Sequence, residues 1–558
     1  MTSDLRRRVA QLLVVRGSGH WSDGQRRYPR WELPDVELQR LLEAGVGGVI
    51  LLGGSAAELR LRTDQLRRWA DGPLLLCADV EEGVGQRFDG ASWLVPPLAV
   101  GRLYGRDPQR AVNLAGRYGR CTGRQARLLG LNWVLGPVCD VNNNPANPVI
   151  NVRAWGEDPA TAGALAAAFV EGCQGAGVLA CAKHFPGHGD TSCDSHLELP
   201  VLPHSRERLE QVELPPFRQA IAAGVSAVMT AHLRLPALDA ERPATLSAAV
   251  LTGLLRQELG FDGLVVTDAL VMEAIAAHHG AGEAAVLALE AGADLVLMPA
   301  DADAAIAAIE AAVASGRLSR ERLEASAERR RRALADVTPQ NGATETPHPA
   351  EAAAQPDQAL EQELVEACLE RQGPAIAVNA AQPASGGGVN LLRLDQALLA
   401  PFLPAGAPAL VLPQAAGLRP CLLAAETPSL WQANAEAPLD LERLGEGPVL
   451  LQLFVRGNPF RGGAGTAEPW PAAVRQLLAA GRLAGLAVYG SPYLWEELRP
   501  QLPADLPAGY SPGQMPRAQA ALLGALGLGG GDPARAATAQ AQAAPAAAKG
   551  AADQGFTD

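Results

Sequence analysis

The chain has 558 residues, a formal net charge of −13 and a hydrophobic fraction of 48%. A chain of this length is expected to form more than one domain, because single hydrophobic cores rarely grow beyond about 250–300 residues. The acidic balance disfavours nucleic acid as the main partner, and no stretch reaches the roughly 18–20 uninterrupted apolar residues of a membrane-spanning helix.

The amino-terminal segment places charged residues before a short apolar run that ends at Arg16. A secretory signal peptide needs an apolar run of roughly 7–15 residues, so this segment is predicted to be an amphipathic first helix. The eight cysteines form no CxxC pair and show no spacing typical of a disulfide framework. Free thiols fit a reducing compartment, and we therefore predict a cytoplasmic protein.

Short apolar runs typical of β-strands alternate with helical patterns up to about residue 335. In chain order the runs are VGGVILL (46–52), LLLCADV (74–80), WVLGPVCDV (133–141), VLACAKHF (178–185), AVMTAHL (227–233), GLVVTDAL (263–270) and ADLVLMP (293–299). Strands that alternate with helices predict a parallel sheet covered by helices. Seven or eight such units favour a (β/α)8 TIM-type barrel, with an open doubly wound sheet as the alternative.

The rest of the chain divides by composition. We predict a catalytic barrel over residues 1–337, a linker rich in Pro, Ala, Thr and Glu over 338–357, and a smaller α/β sandwich-like domain over 358–529. Residues 530–558 are low in complexity and too poor in large apolar groups to form a core, so they predict a disordered C-terminal tail.

Four of the apolar runs end in polar residues that are capable of chemistry. These residues are Asp79, the pair Lys183 and His184, His232, and Asp268. Isolated polar residues at strand ends often cap the next helix, but in barrels the carboxyl ends of the strands carry the active site. Four strands with the same pattern favour one common pocket.

The segment KHFPGHGDTSCDSH (183–196) concentrates three histidines, two aspartates and a lysine directly after a predicted strand. Pro186 and Gly187 disfavour a helix, so these groups are predicted to lie on a loop. Three interpretations compete: a zinc site, a structural loop, and an acid/base loop in which Asp194 orients His196. A carboxylate that accepts a hydrogen bond from an imidazole favours its protonated form, which suits a proton donor.

Together with GFDGLVVTDALVME (260–273) and NPVINVRAWGEDP (147–159), that loop resembles glycoside hydrolase family 3, and in particular its bacterial β-N-acetylglucosaminidase branch. The resemblance covers roughly residues 5–335. It implies that Asp268 is the catalytic nucleophile, and that His196, oriented by Asp194, is the acid/base. It further implies that a larger set of residues binds the sugar: Asp79, Arg87, Arg153, Lys183, His184 and His232.

The resemblance also implies an activity, which is retaining hydrolysis of terminal β-linked N-acetylglucosamine, with peptidoglycan fragments as the source. It implies no cofactor and no metal. A β-glucosidase and an N-acetylglucosaminide phosphorylase are alternatives within the family, and a non-catalytic sugar-binding module is an alternative outside it. We expect a glycan as the ligand, no nucleic acid or membrane partner, and a monomer or homodimer.

Overall fold

The computed structural model describes residues 2–191, 195, 198–337, 355–376, 387–396, 400–456 and 468–529. The chain forms two compact units. The first comprises Met1–Cys368 and Arg456–Ala467, and the second comprises Leu369–Val455 and Glu468–Asp558. The predicted tail (530–558) and most of the predicted linker (338–354) lie outside the described residues.

Within the described residues, eight parallel strands form the centre of the first unit. They are β1 (Leu13–Ser18), β2 (Gly48–Leu52), β3 (Leu75–Ala78), β4 (Trp133–Val134), β5 (Cys181–Phe185), β6 (Ala227–Thr230), β7 (Leu264–Val266) and β8 (Val296–Leu297). One sheet has the order β4-β3-β2-β1-β8 and the other has the order β5-β6-β7. Parallel bridges from Trp133 to Leu179 and from Val266 to Leu295 join the two sheets. The strands therefore close into the predicted (β/α)8 barrel.

Helices cover the outside of this barrel. They are α1 (Thr2–Ala10), α2 (Asp35–Glu43), α3 (Ala56–Trp69), α4 (Pro97–Tyr104), α5 (Pro108–Leu128), α6 (Pro159–Gln174), α7 (Arg206–Arg208), α8 (Leu214–Ala222), α9 (Glu273–Ala276), α10 (Ala281–Ala291), α11 (Ala302–Ala314), α12 (Arg320–Val337) and α13 (Gln358–Cys368). Two π-helical segments, Leu209–Glu213 and Ala249–Glu258, complete the set. Among the described residues no helix is both long and apolar enough to cross a membrane.

The amino-terminal segment contains a strand, β1, that was not predicted. The predicted first helix is present as α1, but it ends at Ala10, and the apolar residues that follow form β1. Val14 and Val15 are β-branched and fully or almost fully buried, which suits a barrel strand better than a helix. The strand β1 closes the barrel by pairing with both β2 and β8.

The helix α13 lies within the predicted second domain, which begins at residue 358, but it clusters with the first unit. The division between the two units therefore follows Cys368. Glu363 on this helix pairs with Arg117 of α5 at 2.6 Å, and the thiol of Cys368 lies 3.5 Å from the carbonyl oxygen of Ala99. The end of the predicted linker is held in the same way, since the backbone N–H of Asp357 donates to Ser92 Oγ at 2.7 Å. Local polar contacts and burial, which composition does not reveal, attach this segment to the barrel.

The second unit is a six-stranded sheet with helices on both faces. Its strands are β9 (Glu370–Gln372), β10 (Val389–Arg393), β11 (Arg419–Leu423), β12 (Val449–Val455), β13 (Leu483–Gly490) and β14 (Ala508–Ser511), in the order β11-β10-β12-β13-β14-β9. Its helices are α14 (Pro408–Ala415), α15 (Leu441–Leu444), α16 (Trp470–Ala479), α17 (Pro492–Leu498) and α18 (Pro516–Ala525). Alternate residues of β12 enter two separate hydrophobic clusters, as the period of two of a strand requires. This arrangement confirms the prediction of a smaller α/β sandwich-like domain.

Candidate active site

The residues that the sequence singled out at strand ends meet at the carboxyl end of the barrel. Asp79 follows β3, and Lys183 and His184 lie in the last half of β5. His232 and Asp268 come two residues after β6 and β7. Because all of these strands are parallel, their side chains face the same end of the barrel.

A buried carboxylate, Glu81, connects the basic residues at this end. It accepts two hydrogen bonds from the guanidinium of Arg153, both at 2.8 Å, and its Oε1 lies 2.6 Å from Lys183 Nζ. Lys183 Nζ also donates to Asp79 Oδ1 at 2.8 Å. Glu81 is only 5% exposed and Lys183 only 1%. Each of these buried charges is paired with an opposite charge at hydrogen-bond distance.

Burial and these ion pairs act in opposite directions on the pKa values. Burial alone would raise the pKa of Glu81, but Arg153 and Lys183 outweigh it and hold the pKa well below its ordinary value. Burial alone would lower the pKa of Lys183, but Asp79 and Glu81 raise it to about 12. Glu81 and Lys183 therefore remain charged near neutral pH, and Lys183 presents a fixed charge and N–H donors to a polar ligand.

A second buried carboxylate, Asp140, orients His184. Its Oδ2 lies 2.7 Å from His184 Nδ1, and its Oδ1 accepts the backbone N–H groups of His184 at 3.2 Å and of His188 at 2.7 Å. Burial alone would raise the pKa of Asp140, but His184 and the N–H donors outweigh it and lower the pKa. A carboxylate next to Nδ1 holds the proton of the imidazole on that nitrogen. The other ring nitrogen, Nε2, faces Arg153 Nη2 at 3.5 Å.

The first part of the loop that follows β5 is tightly held. Asn147 donates from Nδ2 to the carbonyl oxygens of His188 at 2.9 Å and Gly189 at 2.8 Å. His188 is buried, and its two ring nitrogens lie 2.7 Å from Thr191 Oγ1 and 3.0 Å from Ser195 Oγ. Burial lowers the pKa of His188 to about 4, so this histidine is neutral and structural at neutral pH.

Gly189 allows this close packing. A Cβ atom at this position would lie 1.7 Å from the carbonyl oxygen of Val141, where no side chain fits. The glycine in the motif therefore has a steric reason, which is the approach of the loop to the segment after β4. Asp194 and His196, the predicted acid/base pair, lie outside the described residues.

Asp268 and His232 follow the neighbouring strands β7 and β6, next to β5 in the same sheet. The backbone N–H of Asp268 donates to Thr230 Oγ1 at 3.3 Å, and Asp268 Oδ1 accepts the N–H of Ala269 at 2.7 Å. Asp268 is half-buried and acts electrostatically on the buried His188. His232 is fully buried, and Nδ1 lies 2.8 Å from Thr245 Oγ1 while Nε2 donates to the carbonyl oxygen of Ala269 at 3.0 Å. His232 thus supports the backbone next to Asp268.

Arg87 is exposed, and its Nε donates to the backbone carbonyl oxygen of Asp79 at 3.0 Å. Its neighbour in the same loop, Glu82, is buried and accepts from Trp93 Nε1 at 3.0 Å and from Arg456 Nη1 at 2.9 Å. Arg456 clusters with the first unit. The loop after β3 is therefore fixed by ion pairs and hydrogen bonds on both sides of Glu81.

Two profiles match this chain. The profile "Glycosyl hydrolase family 3 N terminal domain" matches residues 4–333, and "Bacterial Glycosyl hydrolase family 3 C-terminal domain" matches residues 382–527. The chain belongs to glycosyl hydrolase family 3. The resemblance inferred from its motifs is confirmed, and the protein is a glycoside hydrolase.

Relatives of this family 3 enzyme carry hexosaminidase names. A "Beta-hexosaminidase" of Thiobacillus denitrificans is 38% identical over 299 residues, which cover 52% of this chain and 83% of the relative. "Beta-hexosaminidase A" of Pseudoalteromonas piscicida is 35% identical over 305 residues, and the match spans only half of that longer relative. The solved structure of a family 3 β-N-acetylglucosaminidase from Paenibacillus sp. str. FPU-7 is 30% identical, with a TM-score of 0.70, and the match covers 93% of this chain and 96% of that chain.

Two residues that organise the site of this family 3 enzyme, Glu81 and Asp140, were not among the predicted site residues. Asp140 is the next-to-last residue of the run WVLGPVCDV and follows the same strand-end pattern that identified Asp79 and Asp268, so the pattern could have found it. Glu81 lies two residues beyond Asp79, in a loop whose path the sequence does not define. Only the structure places it between Lys183 and Arg153.

One group in the described part of the chain has the composition of a metal site. Ligand atoms of Asp190, His204 and Glu213 lie within 4.8 Å of one another. The guanidinium of Arg208 already lies 3.3 Å from both carboxylates, and His204 Nε2 lies 2.8 Å from Asp190 Oδ2. The guanidinium of Arg208 thus supplies the positive charge that a metal ion would otherwise provide, and we interpret the group as an ion-pair cluster. The zinc alternative for the loop after β5 would take His184, His188, Cys193 and His196 as ligands. His188 uses both ring nitrogens for hydrogen bonds, while Cys193 and His196 lie outside the described residues.

Proposed function

We propose that this enzyme is a retaining exo-β-N-acetylglucosaminidase that releases terminal β-linked N-acetylglucosamine. The observation that carries the proposal is the network of Asp79, Glu81, Lys183 and Arg153, which faces the same end of the barrel as Asp268. The names of the relatives, hexosaminidases and β-N-acetylglucosaminidases, support the substrate class.

The network is suited to hold a sugar. Lys183 has three N–H donors and directs two of them at carboxylates within the described residues, so one remains for a ligand hydroxyl. Asp79 gives one oxygen to Lys183, and its side chain is 38% exposed, which leaves the other oxygen accessible. Arg153, His184 and Arg87 complete the proposed binding set, and His232 supports the pocket behind Asp268.

In the proposed mechanism Asp268 attacks the anomeric carbon, and the bond from that carbon to the leaving oxygen breaks as His196 donates its proton to it. A covalent glycosyl-enzyme results. His196 then removes a proton from water, which attacks the same carbon and releases Asp268 with net retention of configuration. Asp194 orients His196. The roles of Asp194 and His196 rest on the sequence motif alone.

Peptidoglycan fragments are our proposed natural source, and the cytoplasm our proposed location. The motif resemblance supports the source. The location is supported by the thiols of the described cysteines, all seven of which are free.

A β-glucosidase activity is the second candidate, because a relative from Cellulomonas fimi is named "Beta-N-acetylglucosaminidase/beta-glucosidase" and is 35% identical over half of each chain. Hydrolysis of nitrophenyl β-N-acetylglucosaminide and of the matching β-glucoside, each with and without phosphate, tests both candidates. We expect preferential cleavage of the N-acetyl sugar and free N-acetylglucosamine as the product. A sugar 1-phosphate would instead indicate a phosphorylase, and binding without turnover of either substrate would indicate the non-catalytic module.

Variants of the proposed catalytic residues complete the test. Asp268→Ala should abolish turnover while the thermal midpoint stays close to that of the wild type. Asp262→Ala is a matched control, because this exposed aspartate of the same segment pairs with Arg329 and Arg332 on α12, away from the strand end. His196→Ala should slow glycosides with poor leaving groups more than activated aryl glycosides, whose departure needs little protonation. Full activity of Asp268→Ala would refute the assignment.

A further inference from the structure

The loop between β1 and α2 places two aromatic rings against the half-buried guanidinium of Arg16. The guanidinium carbon of Arg16 lies 5.3 Å from the ring centre of Tyr28 and 5.9 Å from that of Trp31. The guanidinium carbon of the exposed Arg30 also lies 5.7 Å from the ring centre of Trp31. The two ring centres are 6.0 Å apart, with an angle of 35° between the ring planes. We call Tyr28 and Trp31, with Arg16 beneath them, the aromatic platform.

The platform is held in place by its own backbone. The N–H of Tyr28 donates to Glu32 Oε2 at 2.9 Å, and the N–H of Trp31 donates to the carbonyl oxygen of Tyr28 at 2.9 Å. The N–H of Leu33 donates to the carbonyl oxygen of Arg16 at 3.0 Å, which fastens the loop to β1. Tyr28 nevertheless remains 40% exposed. The ring of Tyr28 therefore offers an apolar surface that a ligand can cover without rearrangement of the loop.

The platform lies beside the proposed sugar site. The loop begins at the carboxyl end of β1, at the same end of the barrel as Asp79. Its first residue, Gly19, contacts the loop after β3 so closely that an added Cβ would lie 2.7 Å from the ring of Phe88, the neighbour of Arg87. Arg16 also interacts electrostatically with Asp79 and Arg87. The loop that carries the rings therefore adjoins the loop that carries Asp79 and Arg87, two of the residues proposed to hold the first sugar.

We propose that Tyr28 and Trp31 bind the second sugar ring of the substrate, the pyranose that leaves with the aglycone. A pyranose has an apolar C–H face, which gains by leaving water against an aromatic ring, and hydroxyls at its edge, which can remain hydrated. This inference rests on the proposed glycosidase function and adds the class of leaving group: a sugar rather than a small alcohol.

The test compares two substrates that differ only in the leaving group. In N,N′-diacetylchitobiose the leaving group is a second sugar, whereas N-acetylglucosaminyl β-fluoride has no second ring. We expect Tyr28→Ala and Trp31→Ala each to lower kcat/KM for the disaccharide about tenfold. The same variants should change kcat/KM for the fluoride less than about twofold, and Trp31→Phe should restore most of the disaccharide activity because it keeps a ring.

Trp21→Ala is the matched control. Trp21 belongs to the same loop and is 48% exposed, but it is not one of the rings over Arg16, and its replacement should leave both substrates unaffected. If the rings only covered Arg16, their loss would disturb Asp79 and lower kcat/KM equally for both substrates. An equal loss on both substrates would therefore refute the proposed role of the rings. Unchanged disaccharide hydrolysis in the ring variants would refute it as well, and so would an equal selective loss in Trp21→Ala. A wild-type enzyme inactive on the fluoride would refute the proposed function itself, which is a distinguishable result.

Discussion

Replacing Glu81 by glutamine tests whether the charge network organises the site. The substitution keeps the shape of the side chain but removes the negative charge that faces both Arg153 and Lys183. Lys183 would then keep Asp79 as its carboxylate partner, whereas both hydrogen bonds from Arg153 to Glu81 would lose their charged acceptor. Loss of one partner of a buried ion pair costs about 3–5 kcal/mol, because the remaining charge stays buried without compensation.

This cost can be converted into a change in thermal midpoint. The first unit contains roughly 380 residues, so its entropy of unfolding is about 0.8 kcal/mol per kelvin. A loss of 3–5 kcal/mol therefore corresponds to a decrease of about 4–6 °C. In addition, Lys183 and Arg153 would no longer be fixed toward the sugar. A hydrogen bond to a charged group contributes about 1.5–3 kcal/mol, so kcat/KM should fall about 10- to 100-fold.

Asp294→Asn separates these two effects. Asp294 is a fully buried carboxylate that pairs with Arg322 and Arg329 of α12, and it precedes β8 at the opposite end of the strands from the site. This variant should lose stability but keep the kcat/KM of the wild type below its melting transition. Calorimetry and steady-state hydrolysis of the nitrophenyl N-acetylglucosaminide measure both quantities. Wild-type kcat/KM in Glu81→Gln, or an equal loss in Asp294→Asn, would refute the reasoning.

Three further substitutions test the parts of the site that were not predicted. Asp140→Asn removes the negative charge that accepts a hydrogen bond from His184 Nδ1, and kcat/KM in the hydrolysis assay should fall at least about tenfold. Unchanged kinetics would contradict a positioning role for Asp140. His188 has a pKa lowered to about 4, so unfolding is favoured as the pH falls below its unfolded value of about 6.5, and the native state loses about 2 kcal/mol between pH 7 and 5. His188→Gln should therefore show a weaker decrease in thermal midpoint over this range, and an unchanged slope would contradict the burial argument. Asn147→Ala should reproduce the leaving-group profile expected of His196→Ala, since it releases the loop that leads to His196, whereas Asn144→Ala, at an exposed turn, should behave like the wild type.

Much of the fold follows from local patterns. The seven apolar runs all contain or border barrel strands, and the glycine and proline residues between them mark the loops. The strand β1 was missed because its apolar residues continue directly from α1, and the hydrophobic pattern does not distinguish the end of a helix from the beginning of a short strand. Closure of the barrel through β1 and β8 is a long-range contact that no local pattern contains.

The site was predicted unevenly for a similar reason. The residues at strand ends were predictable, because parallel strands place them at the same end of the barrel independently of the conformation of the loops. Glu81 was not, because its role depends on how the loop after β3 folds back over Lys183. The aromatic platform depends in the same way on a loop of irregular structure, in which Arg16 and Trp31 are fifteen positions apart in the chain.

Asp140 connects two functions that the sequence presents separately. One of its oxygens holds the ring of His184, which is proposed to bind the sugar, and the other holds the backbone of His188, where the loop toward His196 begins. Binding of the sugar and position of the acid/base loop should therefore be coupled through this carboxylate. Asn147 contacts only the loop side, so Asn147→Ala should affect mainly kcat, and Asp140→Asn should affect both kcat and KM. In the double variant the two losses should be less than additive, because each disturbs the same loop, and strict additivity would show that Asp140 acts on the sugar alone.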